Sequence, residues 1–281
     1  MGNCLYTTYI AGLAMNRGQI SEYAQKVLGA LEQATAEGAG NGDIAVAFSG
    51  GLDSTIISTL LASYSPPKLY TVGIEGSFDL LIGEQTAEML GLPWEGIVVE
   101  EQDLIDAIFE IVKIIPTTNP VTISFEMPLF LVASRIKERH IYSGQGADEL
   151  FAGYAKYVEM TDEEREQTIH DDLIRLLEQG LNYEKDLVNH HNKELHCPYV
   201  HPLVLDVVRS IPLTEEFRGS ERKAVLRDVA RLLELGEIAD RKKKAAQYGS
   251  GIMKTLRHAA KRNGMTVRAF IRVLAREGEM P

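Results

Sequence analysis

Ile44-Ala45-Val46-Ala47-Phe48-Ser49-Gly50-Gly51-Leu52-Asp53-Ser54 runs an apolar, strand-like segment into a pair of glycines and then into a helical pattern from Thr55 to Ser63. A strand that turns into a helix through glycines builds a polyphosphate cradle. The glycines let backbone N–H groups approach an anion closely, because no Cβ stands in the way. The following helix aims its positive end at the same place. Ser49 and Ser54 add hydroxyl donors. Asp53 is the odd member, since a carboxylate beside phosphate repels it unless a cation lies between them, a conflict that Mg²⁺ resolves. The spacing is not that of G-x-x-x-x-G-K-[ST], and no lysine follows the glycines. The plainer alternative is a glycine-rich strand-to-helix turn capped by Asp53 and Ser54.

Outward from this stretch the chain alternates. Strand-like runs at 43–48, 68–74, 95–100 and 139–143 are separated by helical patterns at 53–64, 80–90, 103–114 and 127–137, with Pro66-Pro67 as a break and 116–125 as an expected loop. Short β-branched runs between amphipathic helices predict an α/β fold, a parallel sheet with helices on both faces. The strand at 139–143 ends in Gly144-Gln145-Gly146-Ala147-Asp148-Glu149, so two glycine-containing acidic loops follow strands, at the carboxyl edge where open α/β sheets bind ligands. Residues 16–35 read as a helix before a flexible joint at 37–42. From 162 onward the pattern is mostly helical, with irregular stretches at 190–201 and 242–251. The expected organisation is an N-terminal helical extension and linker over 1–42, an α/β core over 43–160 and a helical part over 161–281.

Composition narrows the class. The chain has 281 residues, 45% apolar and 25% charged, and a net charge of −11. That is an ordinary globular composition, and its acidity argues against wholesale binding to nucleic acid or to anionic membranes. Two cysteines, Cys4 and Cys197, make no disulfide framework and point to a reducing, cytoplasmic setting. No stretch reaches transmembrane length. The opening residues lack the basic region and cleavage site of a signal peptide, and Tyr6 stands where a myristoylation start needs Ser or Thr.

Ser49-Gly50-Gly51-Leu52-Asp53-Ser54, Tyr70-Thr71-Val72-Gly73-Ile74 and the long Ser143-Gly144-Gln145-Gly146-Ala147-Asp148-Glu149-Leu150-Phe151-Ala152-Gly153-Tyr154 together resemble the synthetase domain of asparagine synthetases, over residues 43 to 251. That domain belongs to the PP-loop ATP pyrophosphatases. The resemblance implies a five-stranded parallel sheet with a helical C-terminal lobe. It also implies cleavage of ATP between its α and β phosphates, adenylation of a carboxylate, and displacement of AMP by ammonia or an amine. Carried over by position, Ser49, Gly50, Gly51, Asp53 and Ser54 would grip pyrophosphate, and Asp53 and Asp148 would bind Mg²⁺. Ala47, Val72, Gly73, Ser143 and Gly144 would line the adenosine pocket. Lys223, in Arg222-Lys223-Ala224-Val225-Leu226-Arg227, would stabilise the charge that develops in the second half-reaction; the bland alternative is an exposed helical lysine. Lys243, within Arg241-Lys242-Lys243-Lys244, matches a second basic site near the pyrophosphate.

The chain also departs from the family pattern. Gln145 stands where the signature usually carries Glu, which removes an anionic group beside the reacting carboxyl. Glu126 falls near the acidic partner that β-lactam synthetases place for a substrate amine, and could act as a general base if burial raises its pKa; otherwise it is a helix N-terminal carboxylate favoured by the dipole. Full-length asparagine synthetases open with a glutaminase domain whose nucleophile is a cysteine directly after the initiator Met. Here position 2 is Gly2, so the expectation is a stand-alone synthetase supplied by free ammonia, another amine or a separate glutaminase. A homodimer stays open.

Two further features look like chemistry. His190, His191, His196, Cys197 and His201 suggest zinc by residue type, yet their spacing matches no standard site, and polar packing or a substrate-loop role is the favoured reading. Residues 241–276 hold eleven Lys or Arg and no Asp or Glu. Lys242–Lys244 are expected near the active site and the rest on the solvated side of two helices, the last with an apolar stripe of Val267, Phe270, Ile271 and Leu274. Trp94 is expected in the core. An RNA-modifying enzyme of the same superfamily and a non-catalytic ATP or AMP sensor are the alternatives. The first is weakened by the acidity and by the absence of a CxxC pair, the second by the retention of Asp53, Asp148 and Lys223 together.

Overall fold

The protein is described by a computed structural model over residues 20–39, 43–241 and 249–277. Five strands, β1 (Ile44–Ala47), β2 (Lys68–Gly73), β3 (Trp94–Val98), β4 (His140–Tyr142) and β5 (Glu194–His196), form one sheet in the order β3-β2-β1-β4-β5. Every pair is parallel, with Val46 opposite Leu69, Ala45 opposite Ile141 and Ile141 opposite Leu195. The inner strands are near-continuous apolar runs because both of their faces are covered.

The chain builds outward from β1 to β3 and then jumps back to lay β4 on the other side of β1. The junction of β1 and β4 is therefore the switch point at which helices leave the sheet in opposite directions and open a crevice at its carboxyl edge. Each of the two glycine loops follows one of these two strands.

On one face, α1 (Glu22–Ala39), α2 (Leu52–Ala62), α10 (Ala224–Leu232) and α11 (Gly236–Asp240) share a core that includes Val27, Leu31, Ile56, Leu61, Val225, Leu226 and Ala239. On the other face lie α4 (Glu101–Ile114), α5 (Pro120–Arg135), α12 (Ile252–Arg262) and α13 (Val267–Glu277), with Ile108, Ile111, Met127, Leu256, Ile271 and Leu274 in a second core. The first core also takes α3 (Phe78–Leu90), beside β2 and β3, α6 (Ala147–Leu150), α7 (Asp162–Arg175) and α9 (Pro202–Val208), through Ala87, Leu150, Leu173 and Val204, whereas α8 (Leu181–His190) joins the second through Leu187 and Val188; β6 (Phe217–Arg218) and β7 (Glu221–Arg222) form a separate two-stranded ribbon. The apolar stripe expected on α13 is buried at Phe270, Ile271 and Leu274 and half-buried at Val267. Trp94 packs against the first core and donates its indole N–H to Thr71 Oγ1 at 2.9 Å. Among the described residues no helix is long and apolar enough to cross a membrane.

Three sequence-level expectations change. The stretch 116–125 is mostly helix. Asn119 caps α5 by accepting from the Val121 N–H at 3.0 Å, and Pro120 occupies the first helical position, where its missing N–H costs nothing. The fifth strand lies in 194–196, inside a stretch read as irregular, because three residues carry too little periodicity to register. The joint read at 37–42 begins later, since α1 continues through Gly38 and Ala39.

Candidate active site

The first glycine loop requires its glycine. Gly50 adopts φ 66°, and a Cβ there would lie 2.7 Å from the Ile82 carbonyl oxygen. The two serines close the loop: Ser54 Oγ accepts from the Ser49 N–H at 3.3 Å, and Ser49 Oγ accepts from the Gly51 N–H at 3.3 Å. Gly51 is the N-cap of α2 and makes no side-chain cap bond, so the first amides of the helix face the crevice.

The second loop touches the first. A Cβ on Gly144 would come within 3.0 Å of Asp53 Cβ and 3.2 Å of the Ser54 nitrogen. Its chain enters α6 through Gly146 at φ 92°, which presents Asp148 and Glu149. Tyr199, just after β5, donates its hydroxyl to the Asp53 carbonyl at 3.1 Å and ties the start of α2. Ala47 and Val72-Gly73 lie at the carboxyl ends of β1 and β2, beside these loops, and Ser143 is tied to β5 through its N–H to the His196 carbonyl at 2.9 Å.

Lys223 joins the loops. Its ammonium lies 2.7 Å from Asp53 Oδ1 and 2.8 Å from Asp148 Oδ1. It is only 4% exposed, which rules out a solvated helical lysine. Its backbone is left-handed, φ 57°, at the N-cap of α10. A non-glycine residue persists there only when its surroundings hold it. Those surroundings include Gly153, where a Cβ would collide with both Asp148 Oδ1 and Lys223 Cε, and Arg222, which donates to the Gly153 carbonyl.

Three buried carboxyls continue from this pair. Glu149 accepts from the Tyr154 hydroxyl at 2.6 Å, and burial raises its pKa despite that bond. Glu184, on α8, is raised well above the ordinary range by burial and then by the charges of Glu126 and Glu149. Burial likewise pushes Glu126 up to about 8. Glu126 lies in the second turn of α5, not at its N-terminus, so a dipole role does not apply. Glu126 Oε2 and Glu184 Oε2 are both buried without a hydrogen-bond partner. Sequence inspection missed Glu184; the one available signal was an acid on the apolar stripe that also holds Leu181, Leu187 and Val188.

Arg241 reaches the Gly50 carbonyl at 3.1 Å and Thr86 Oγ1 at 2.8 Å, and Ser250 accepts from the Ile74 N–H at 2.9 Å. Both flanks of 242–248 are therefore fastened to the rim of the crevice. Lys243 itself lies outside the described residues. The five His and Cys residues of 190–201 do not gather: His191 packs edge-on against Phe130, and His201 pairs with Glu37 and caps α9. Burial, and then the charge of Glu184, push the Cys197 thiol up. His196 instead meets His140, outside that stretch, at 3.0 Å.

Asp53 and Asp148 direct oxygens at one point now taken by an ammonium, beside glycine amides and a helix N-terminus. Carboxylate oxygens are the hard donors that Mg²⁺ prefers, so the residues present fit that ion.

A parallel sheet whose switch point carries two strand–glycine–helix loops, with paired carboxylates and a buried lysine across them, defines an α/β domain with a candidate nucleotide site at its carboxyl edge. The chain belongs to the asparagine synthase family, whose model matches residues 26–189 and 157–266. It is 30% identical over 276 residues to a putative glutamine-hydrolyzing asparagine synthetase of Methanocaldococcus jannaschii, covering 83% of this chain and 51% of that protein. It is 37% identical over 123 residues to a glutamine-hydrolyzing asparagine synthetase of Arabidopsis thaliana, covering 39% and 21%. The chain thus spans at most about half the length of these relatives. Among solved structures, an NMN synthetase of Francisella tularensis aligns with a TM-score of 0.44 at 14% identity, covering 92% of this chain and 93% of that one. A U34-tRNA thiolase of Methanococcus maripaludis aligns with a TM-score of 0.41 at 17% identity, covering 92% and 81%.

Proposed function

We propose that the protein is an ATP-dependent ligase that adenylates a carboxylate and passes the acyl group to ammonia or an amine. The observation that carries this reading is Lys223, buried between Asp53 and Asp148 where the two glycine loops meet. A site that only bound phosphate would have no need to bury an ammonium against two acids.

In the first step the substrate carboxylate oxygen attacks the α-phosphorus of ATP, forming the acyl-adenylate, and pyrophosphate leaves with the electrons of the α–β bond. The Gly50-Gly51 amides and the N-terminus of α2 hold the pyrophosphate. Mg²⁺, held by Asp53 and Asp148, would supply the charge screening that lets those acids sit beside polyphosphate. In the second step the amine attacks the acyl carbon and AMP departs. Activation thus replaces a poor hydroxide leaving group with AMP. Lys223 lies where it can stabilise the tetrahedral oxyanion and the departing AMP, the kind of preorganised charge that contributes most in acyl transfer.

The incoming amine must shed a proton. Glu126 takes that role, with Glu184 beside it: a carboxyl moved up to about 8 by burial titrates near working pH, as an efficient general base should. Gln145 cannot serve, because its amide does not ionise in this range. Lys243 adds charge toward the pyrophosphate, and Ala47, Val72, Gly73, Ser143 and Gly144 receive the adenosine. Nitrogen comes from free ammonia, an amine or a separate glutaminase; the two cysteines support a cytoplasmic setting, and a homodimer is left to a measurement of mass in solution.

The test is ATP–pyrophosphate exchange across a panel of amino acids and other carboxylates, followed by AMP release on adding ammonia or amines. Exchange with one carboxylate, lost in Asp53→Asn and Asp148→Asn, is the expected result. Exchange that survives both substitutions refutes the metal assignment. No pyrophosphate with any carboxylate refutes the ligase reading and turns attention to RNA or to sensing.

A further inference from the structure

At the opposite end of β4 from Asp148, His140 opens the strand and stands opposite Glu194, while His196 is opposite Tyr142. Because side chains alternate along a strand, His140, Glu194 and His196 share one face of the sheet, the face covered by the end of α1. Their donor atoms converge. His140 Nδ1 lies 3.0 Å from His196 Nε2 and 3.6 Å from Glu194 Oε2, and His196 Nε2 lies 3.9 Å from Glu194 Oε1. A tetrahedral ion with ligands at ~2.0–2.1 Å needs donors about 3.3 Å apart. The three distances bracket that value.

The surroundings hold the imidazoles in place. A Cβ on Gly38 would lie 2.8 Å from His196 Nδ1 and would strike the Tyr142 hydroxyl, so the last turn of α1 carries glycine where the other ring nitrogen is packed. The His196 ring stacks on Tyr142 with centroids 4.6 Å apart. His140 is 8% exposed. A cavity of about 360 Å³, lined by Asp43, Arg139, His140 and Glu194, opens onto the group and leaves a fourth position reachable by water.

We propose that His140, Glu194 and His196 form a binding site for a divalent transition-metal ion of the zinc class, with water as fourth ligand. Two imidazoles and one carboxylate favour zinc over magnesium or calcium, which take oxygen sets. Without a metal the two ring nitrogens share one proton across 3.0 Å and Glu194 contributes a loose, exposed contact. With one, all three become ligands, and the short edge strand β5 is clipped to β4. Asp43 and Arg139 line the same cavity and bring one charge of each sign to it. The site is independent of the ligase reading.

The test uses the full chain without an affinity tag, in the Asp53→Asn background so that the nucleotide site does not compete, stripped with chelator and titrated with Zn²⁺ and then Co²⁺. The expected result is one equivalent bound, a visible tetrahedral Co²⁺ spectrum without a thiolate charge-transfer band, and a raised melting temperature. His140→Ala and Glu194→Gln should each weaken binding by at least about tenfold, since loss of a ligand costs no less than loss of a supporting hydrogen bond. Glu194 is exposed, so its variant remains folded even if His140→Ala does not. Three outcomes overturn the proposal: no binding, binding unchanged in Glu194→Gln, or binding abolished by Cys197→Ser instead. In the natural background, ATP–pyrophosphate exchange by Glu194→Gln should equal that of the parent protein.

Discussion

The two ends of β4 hold clusters of similar size but different origin. At its carboxyl end, Asp148 meets Asp53 from the first turn of α2 and Lys223 from 170 residues beyond Asp53, and nothing local ties the three together. At its amino end, His140, Glu194 and His196 follow from the register of two neighbouring strands. The first cluster places a buried ammonium between two acids in a crevice lined by glycines, a charged arrangement of the sort that costs desolvation and is kept for chemistry. The second lies between an edge strand and a helix end. Position relative to the switch point separates the two, because only the carboxyl edge opens a crevice with helix N-termini facing it.

Lys223→Met is the sharpest way to break this contrast. It should lower the rate of AMP release by ~10²–10³-fold, as removal of a preorganised charge-stabilising donor typically does, while nucleotide binding, measured by calorimetry, persists. A comparable loss of ATP affinity with no change in rate would make the lysine a clamp and would bring the two ends of β4 closer in kind.

Gly50→Ala comes next. A side chain at φ 66° pressed against the Ile82 carbonyl should destabilise the fold by ~1–3 kcal/mol and weaken ATP binding, both readable from melting curves with and without nucleotide. An unchanged nucleotide response would mean that the loop is only a turn.

Glu126→Gln tests the buried acids through pH. Burial raises the folded-state pKa from 4.5 to about 8, so the fold favours the protonated carboxyl. Its contribution is fully present below pH 4.5 and is lost as pH climbs through about 8, with a slope of about 1.4 kcal/mol per pH unit. Glutamine cannot ionise, so denaturant titrations should show the variant matching the parent at low pH and exceeding it above pH 8. The remaining slope belongs to the other carboxyls that burial raises, Glu149, Glu184 and Glu216 among them. Parallel curves at all pH values would show that Glu126 is solvated.

The smallest effect is expected of Gly38→Ala. Crowding His196 and Tyr142 should cost ~1 kcal/mol, at the low end for an overpacked contact because α1 ends there and can shift. It should also blunt the response to Zn²⁺ while leaving pyrophosphate exchange intact.

The alternating pattern, the parallel sheet and both glycine loops were legible, because strand and helix periods and glycine's freedom are properties of a few adjacent residues. The start of α5 was hidden because Asn119-Pro120 reads equally well as a loop and as a cap followed by a first turn. Strand β5 was hidden because its three residues show no period, and their pairing with β4 is what makes them a strand. Lys223 was identified only by resemblance. Its residue type and its place before an amphipathic helix fit a solvated lysine equally well, and its burial follows from the left-handed turn and from the gap that Gly153 leaves. Glu184 carried no motif, and His140 lay fifty-six residues from His196.

Local sequence was enough for the class of the protein: an α/β chain with two glycine loops after strands, an acid at the start of the helix that follows each, and membership in the asparagine synthase family. Which charges meet was set by the folded sheet. Coulombic and desolvation energies depend on distance and burial, and neither can be read from residues that the chain keeps far apart until the sheet brings them together.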